Sequence, residues 1–269
     1  MSFDEFLREA ASLLGLQPRP FRRRGIRRKV ERRIAQVGLS LEQYLFRVQN
    51  DPTERHHLSK ILTVTISRFF RDKKVFDTIR HSVIPALLTE EREEIRVWSI
   101  GCASGEEPYS LSLIWKEGFE KTWPQIRLSI LATDINGDLL GRARAGRYKK
   151  GSLKEIQEEI LRSFFKIDRD VYALDEAVKE SVQLREHDIL QEESYSSMDI
   201  VFCRNLAFTY FSRESQIEVL KKIARSLRNE GYLVIGKDES LPLTYPTLFV
   251  PAFPAERIYR IFSPPVFDK

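Results

Sequence analysis

Cysteine and histidine are scarce in this chain. Its 269 residues include two cysteines, Cys102 and Cys203, and four histidines, His56, His57, His81 and His187. Two cysteines cannot form a disulfide framework, which points to a reducing compartment. No His/Cys spacing suits a metal site. Long apolar runs are missing too, so no stretch reads as a membrane span. The opening residues, MSFDEFLREAASLLGL, carry acids among the apolar positions, unlike a signal peptide. No Gly-Lys-Ser/Thr phosphate loop occurs, and Ser104 does not sit in a G-x-S-x-G elbow. These absences remove zinc chemistry, Walker-type phosphoryl transfer and serine hydrolysis. The expectation is a soluble, cytoplasmic monomer that is not membrane-embedded.

The chain does have ample core material: 42% of residues are hydrophobic and 31% charged, enough for one large domain or a domain with a small partner. A net charge of +5 permits an acidic partner without requiring nucleic acid. Phe3, Phe6, Leu7, Ala10, Leu13 and Leu14 recur at helical spacing, with Gly15 as the stop. A basic stretch, FRRRGIRRKVERRIAQVG, then carries one narrow apolar stripe of Ile26, Val30, Ile34 and Val37. Its Arg-rich face reads either as solvated surface or as a docking face for an acidic protein; interleaved aromatics, the mark of a single-strand binder, are absent. Ser40 with Gln43 forms a capping box for a third helix, and Asp51-Pro52 opens a fourth. Residues 1–64 are thus an all-α N-terminal domain. Residues 65–83 form a linker in which Phe69 and Phe70 must bury, and Asp72 is placed to cap a helix kinked or broken near Pro85.

Residues 84–269 alternate strand and helix, predicting an α/β domain with a doubly wound, mostly parallel sheet covered on both faces and an antiparallel last strand. The strands are Arg96–Ile100, Arg127–Ala132, Asp199–Phe202 and Tyr232–Ile235, with a closing antiparallel pair within TLFVPAFPAERIYRIFS. Val171, Ala173, Val178, Val182 and Leu184 suit short strands, giving a small inserted β-subdomain at about 166–190.

Ligands of such sheets sit beyond the carboxyl ends of the strands. The first strand stops at Gly101-Cys102-Ala103-Ser104-Gly105, where two glycines permit a tight turn and close ligand approach. Asp134 ends the second strand and suits a ribose, of NAD or of S-adenosylmethionine alike, or is a plain turn residue. Glu106 and Glu107 open the next helix; two carboxylates there would repel a pyrophosphate, whereas an ammonium–sulfonium cofactor would tolerate them.

Five motifs then fall in register. SRFFRD at 67–72, WSIGCASGEEPYS at 98–110, ATDIN at 132–136, ARAGRY at 143–148 and FCRN at 202–205 together resemble the chemoreceptor glutamate methyltransferase (CheR) family over nearly the whole chain. The resemblance implies a class I methyltransferase fold and transfer of a methyl group from S-adenosylmethionine to a glutamate carboxylate of a receptor-like protein. It also implies that Thr65, Ser67 and Arg71 reach the cofactor from the linker. By the same likeness, Gly101 lines the turn, Glu107 meets the amino end, Asp134 the ribose, and Asp188 with Ile189 the adenine; Arg204 and Asn205 close the other side. Arg71 and Tyr210 are implied at the reacting atoms. The family pattern has Asn where Thr65 and Asp188 stand, and reaches its Tyr-Phe one residue sooner than CRNLAFTYF does. Alternatives are a different protein or small carboxylic acid as acceptor, or a binding module without turnover. Cys102 and Cys203 are expected to be free thiols at neighbouring strand ends.

Overall fold

The computed structural model describes residues 1–18, 24–62, 67–242 and 248–261. Chain packing divides it into two compact units: Met1–Val64 with Asn205–Val219, and Thr65–Arg204 with Leu220–Lys269.

The first unit contains α1 (Phe3–Leu13), α2 (Arg24–Val37), α3 (Leu41–Asn50) and α4 (Pro52–Leu62). Local chemistry sets their ends. Ser2 with Glu5 and Ser40 with Gln43 each form a reciprocal capping box. Gly15 takes φ 64° past α1, where Leu16 N–H donates to the Ala11 carbonyl and Gly15 N–H to that of Ser12. That is a Schellman stop, and it needs the left-handed conformation glycine adopts without penalty. Ile26, Val30 and Ile34 of α2 are buried as the stripe requires, together with Phe6, Leu7, Tyr44, Val48 and Leu58. Residues 205–219 join this unit through contacts that sequence order does not suggest. Gln17 N–H donates to the Tyr210 carbonyl at 2.8 Å, Ser212 N–H to that of Gly15 at 2.8 Å, and Leu16 bridges Phe211.

The second unit begins with α5 (Lys73–Thr78), a π-helical turn at Ile79–Val83 and α6 (Ile84–Leu87). Of the kink or break expected near Pro85, the helix shows a local distortion without a break. Proline lacks the N–H that would bond back one turn, and the widened π turn just before it absorbs the mismatch while the helix continues. Then come β1 (Glu94–Ile100), α7 (Glu106–Gly118), β2 (Arg127–Asp134), α8 (Gly137–Ala145), β3 (Arg147–Lys149), α9 (Glu158–Phe164), β4 (Phe165–Asp168), β5 (Val171–Leu174), α10 (Glu176–Glu180), β6 (Val182–Glu186) and β7 (Met198–Cys203). The short α11 (Ala207–Tyr210) follows, then α12 (Arg213–Ser226), β8 (Leu227–Ile235), β9 (Phe249–Phe253) and β10 (Ile258–Ile261).

Seven strands form one sheet in the order β6-β2-β1-β7-β8-β10-β9. The first five are mutually parallel, while β10 runs antiparallel to β8 and to β9. This is the doubly wound, mostly parallel α/β arrangement of a class I methyltransferase, with its antiparallel closing strand. Because β1 and β7 are neighbours, Cys102 and Cys203 follow adjacent strands; both are buried and neither is in a disulfide.

The small sheet differs from expectation. It has the order β3-β5-β4 and spans Arg147–Leu174, earlier than the 166–190 segment. Val178 lies in α10, whose N-cap Asp175 accepts from Ala177 N–H. Val182 and Leu184 belong to β6 of the main sheet, in register with Ile130 and Ala132. An alternating apolar pattern shows that a strand forms but not which sheet it joins. Phe69 anchors the small sheet: fully buried, it packs edge-on to Tyr148 at 4.8 Å and to Phe165 at 5.5 Å. Burying one such ring contributes about 1.5–3 kcal/mol.

Candidate functional site

Four parallel strands, β6, β2, β1 and β7, end side by side, and the polar residues that follow them form the candidate site. The turn after β1 is pinned to the end of β2. Gly101 and Cys102 N–H both donate to the Thr133 carbonyl, at 2.7 and 2.9 Å, and Ala103 N–H donates to Asp134 Oδ2 at 2.9 Å. Gly101 and Gly105 hold φ of 72° and 89°. At Gly105 an added Cβ would lie 2.6 Å from the Tyr109 ring, so the turn excludes any larger residue there. Asp134 Oδ1 accepts from Asn136 N–H at 2.9 Å. Asp134 is therefore a turn-holder as well as an acid at a strand end.

Glu107, on the first turn of α7, sits between β1 and β7. Its Oε1 accepts from Ser99 Oγ at 2.9 Å and its Oε2 from Arg204 Nη1 at 3.1 Å. Arg204, only 2% exposed, also donates through Nη2 to Asp72 Oδ2 at 2.7 Å and to the Arg71 carbonyl at 2.9 Å. Phe76 lies under its guanidinium, 5.5 Å from ring centre to Cζ. One buried cation thus ties the segment carrying Arg71 to the acid at the strand ends. Asp72 does not cap α5: it has φ 61° and makes no cap hydrogen bond, its carboxylate being turned to Arg204. Phe70 also has a positive φ, 52°. Non-glycine residues in this region cost about 1–3 kcal/mol each and concentrate where function over-determines the backbone.

Burial shapes the electrostatics. Glu106 is 4% exposed, and its Oε2 has no hydrogen-bond partner among the described residues. Desolvation raises its carboxyl above the ordinary range, opposed by its own backbone hydrogen bond and by Arg142. Burial likewise pushes the Cys102 thiol well up, aided by the charges of Asp134 and Glu107. Cys102 is an inert thiol, not a nucleophile.

Residues 65–253 match the family model for the CheR methyltransferase SAM-binding domain. The chain belongs to the CheR methyltransferase family. A chemotaxis protein methyltransferase of Listeria innocua is 35% identical over 181 residues, 67% of each chain. One from Listeria monocytogenes is 31% identical over 76% of each. Chemotaxis protein methyltransferase 1 of Pseudomonas aeruginosa is 34% identical over 72% of this chain and 74% of its own.

As a CheR-family methyltransferase the chain uses S-adenosylmethionine, and its residues fit that group. Among the described residues each Glu107 oxygen accepts one hydrogen bond, which leaves a lone pair on each for an ammonium. A dinucleotide does not fit: the first turn of α7, where a pyrophosphate would rest, carries Glu106 and Glu107.

The other predicted residues fall as follows. Asp188 and Ile189 follow β6, next to β2; Asp188 Oδ1 accepts from Leu190 N–H, Ile189 is buried, and neighbouring His187 N–H donates to the Asp134 carbonyl. Ser67 and Arg71 are half-buried in the second unit. Asn205, at φ 56°, and the buried Tyr210 belong to the first unit. Thr65 lies outside the described residues. Sequence reasoning missed two contributors. Asp72 and Ser99 orient the groups around Glu107; Asp72 stood within SRFFRD, but its conformation was not legible there.

Proposed function

We propose that this CheR-family enzyme methylates a glutamate side chain of a chemoreceptor-like protein, forming a glutamyl methyl ester. The observation that carries the reading is the Arg204–Glu107–Asp72 assembly, which sets the Arg71 segment beside the acid suited to the cofactor's amino end. In this reading Gly101, Glu107, Asp134, Asp188, Ile189, Arg204, Asn205, Ser67 and Thr65 hold the cofactor, and Arg71 and Tyr210 serve the reacting end. When bound, S-adenosylmethionine supplies a methyl group already activated by its sulfonium.

The chain's own task is orientation. A glutamate carboxylate is ionised at neutral pH and needs no general base, which suits a site without an acid–base pair. Arg71 orients the incoming carboxylate through a planar fork that lysine lacks. Alignment of reacting groups supplies about 7–11 kcal/mol of barrier reduction in favourable cases. The acidic acceptor docks on α2, where Arg28, Lys29 and Arg32 are exposed and have no ion-pair partner among the described residues. No helix among the described residues is long and apolar enough to cross a membrane.

Radiolabelled methyl transfer to a receptor cytoplasmic fragment tests the reading. Base-labile label should appear with the native chain and be nearly lost with Arg71→Ala. Cofactor binding without transferred label would overturn it in favour of a binding module.

A further inference from the structure

The face of the main sheet opposite α7 and α8 carries a cavity unrelated to the cofactor end. Parallel strands place Arg96 of β1, Ser129 and Leu131 of β2, and Gln183 and Arg185 of β6 on one face, because alternate residues of a strand point the same way. Ile95, Val97, Ile130, Ala132 and Val182 occupy the other face and join the main apolar core. The connection from β6 to β7, residues 187–197, contains no helix, so no helix of that crossover covers Arg96, Ser129 and Gln183.

The cavity, of about 140 Å³, is lined by those side chains, Tyr195, Met198 and the Val97 position. That is room for a polyatomic ion with water around it, since one water needs about 10–15 Å³. Arg185 lies over the Tyr195 ring, its Cζ 5.8 Å from the ring centre, and Trp98 packs edge-on against the same ring at 5.2 Å. Arg96 is half-buried, and neither Arg96 nor Arg185 has an acidic partner among the described residues. The acids nearby in sequence pair with other guanidiniums, Glu94 with Arg127 and Asp199 with Arg92 and Arg228, although Asp199 Oδ2 also accepts from the Arg96 backbone N–H at 2.8 Å. A half-buried guanidinium without a counter-ion is costly unless something supplies one.

We propose that this pocket binds a phosphate group. Two guanidiniums match a doubly charged oxyanion in charge and in forked donor geometry. The Tyr195 and Ser129 hydroxyls and the Gln183 amide add neutral donors around them. The pocket lies toward the starts of β1 and β2, whereas the cofactor residues lie beyond their ends, so the two ligands bind without competing.

Calorimetric titration of the full chain with inorganic phosphate tests this, at constant ionic strength set with chloride and with saturating S-adenosylhomocysteine present. Saturable binding is expected, weakened at least tenfold by Arg96→Gln and by Arg185→Gln, with S-adenosylhomocysteine affinity unchanged in both as the check on folding. A parallel titration with phenyl phosphate separates sources: tighter binding than inorganic phosphate assigns a phosphomonoester, weaker binding the free ion. Absent binding, equal binding by both variants, or binding abolished by S-adenosylhomocysteine would overturn the site.

Discussion

Two buried guanidinium–carboxylate assemblies, one in each compact unit, use the same chemistry to different ends. In the helical unit, Arg33 grips Glu54 with two bonds, Nε to Oε1 at 2.8 Å and Nη2 to Oε2 at 2.6 Å. Tyr44 Oη donates to Oε1 at 2.8 Å, and Arg47 adds a contact at 3.5 Å. Glu54 is 2% exposed and fully committed. In the sheet unit, Arg204 is equally buried but spans three partners, has no partner for Nε among the described residues, and holds Glu107 by one bond to Oε2, while Ser99 Oγ takes Oε1. The backbone beside it carries two positive-φ residues, Phe70 and Asp72. The closed assembly is a stabiliser, whereas the open one keeps acceptor capacity at the strand ends, where the proposed cofactor site lies. A satisfied polar network rigidifies, and an incompletely satisfied one marks a place where the ligand completes the set.

Breaking the open assembly should have the larger functional effect. Arg204→Ala leaves Glu107 without its cation and Asp72 with the more distant Lys237 ammonium at 3.9 Å, and truncating one partner of a buried charge pair costs about 2–5 kcal/mol. We expect kcat/KM for methyl transfer to fall by roughly a hundredfold or more. Breaking the closed one should act on stability instead. Glu54→Ala strands Arg33 and the Tyr44 hydroxyl and should cost about 3 kcal/mol by denaturant unfolding, with S-adenosylhomocysteine affinity unchanged. If Glu54→Ala abolishes cofactor binding while stability holds, the contrast between the two assemblies is wrong.

Charge alone sharpens the contrast further. Asp72→Asn keeps the shape but removes the carboxylate charge facing Arg204 Nη2, and should lower kcat/KM by about tenfold, less than Arg204→Ala. Acid separates the units by sign. The Arg33 bonds hold the Glu54 carboxyl at about 2, below its ordinary 4.5. A lowered folded-state pKa means its stabilisation is full above about pH 4.5 and is lost as pH falls toward 2. Glu106 has the opposite sign: its raised carboxyl makes ionisation a burden that grows as pH rises past 4.5. Glu106→Gln should therefore raise Tm at pH 8 and change it little at pH 4, the smallest effect of the set.

The extent to which these assemblies were legible beforehand follows how local their causes are. The capping boxes at Ser2 and Ser40, the stop at Gly15 and the strand–turn–helix at 94–118 depend on residues within a few positions of one another, and sequence spacing displayed them. Glu107 and Asp134 stood out because the ends of parallel strands gather polar residues at one edge. The role of Asp72 stayed hidden because it depends on φ 61° and on an arginine 132 positions away. The small sheet was misplaced for a similar reason: its three short strands are organised by Phe69, whose partners Tyr148 and Phe165 are distant in sequence. The assignment of Val182 and Leu184 to the main sheet rests on pairing with β2, which alternation alone does not reveal.

Calorimetric titration with S-adenosylhomocysteine of the native chain, Glu107→Gln and Glu54→Gln tests the central claim most directly. The account predicts one equivalent bound by the native chain, an affinity at least tenfold weaker for Glu107→Gln, and native affinity for Glu54→Gln. Native affinity in Glu107→Gln would contradict it.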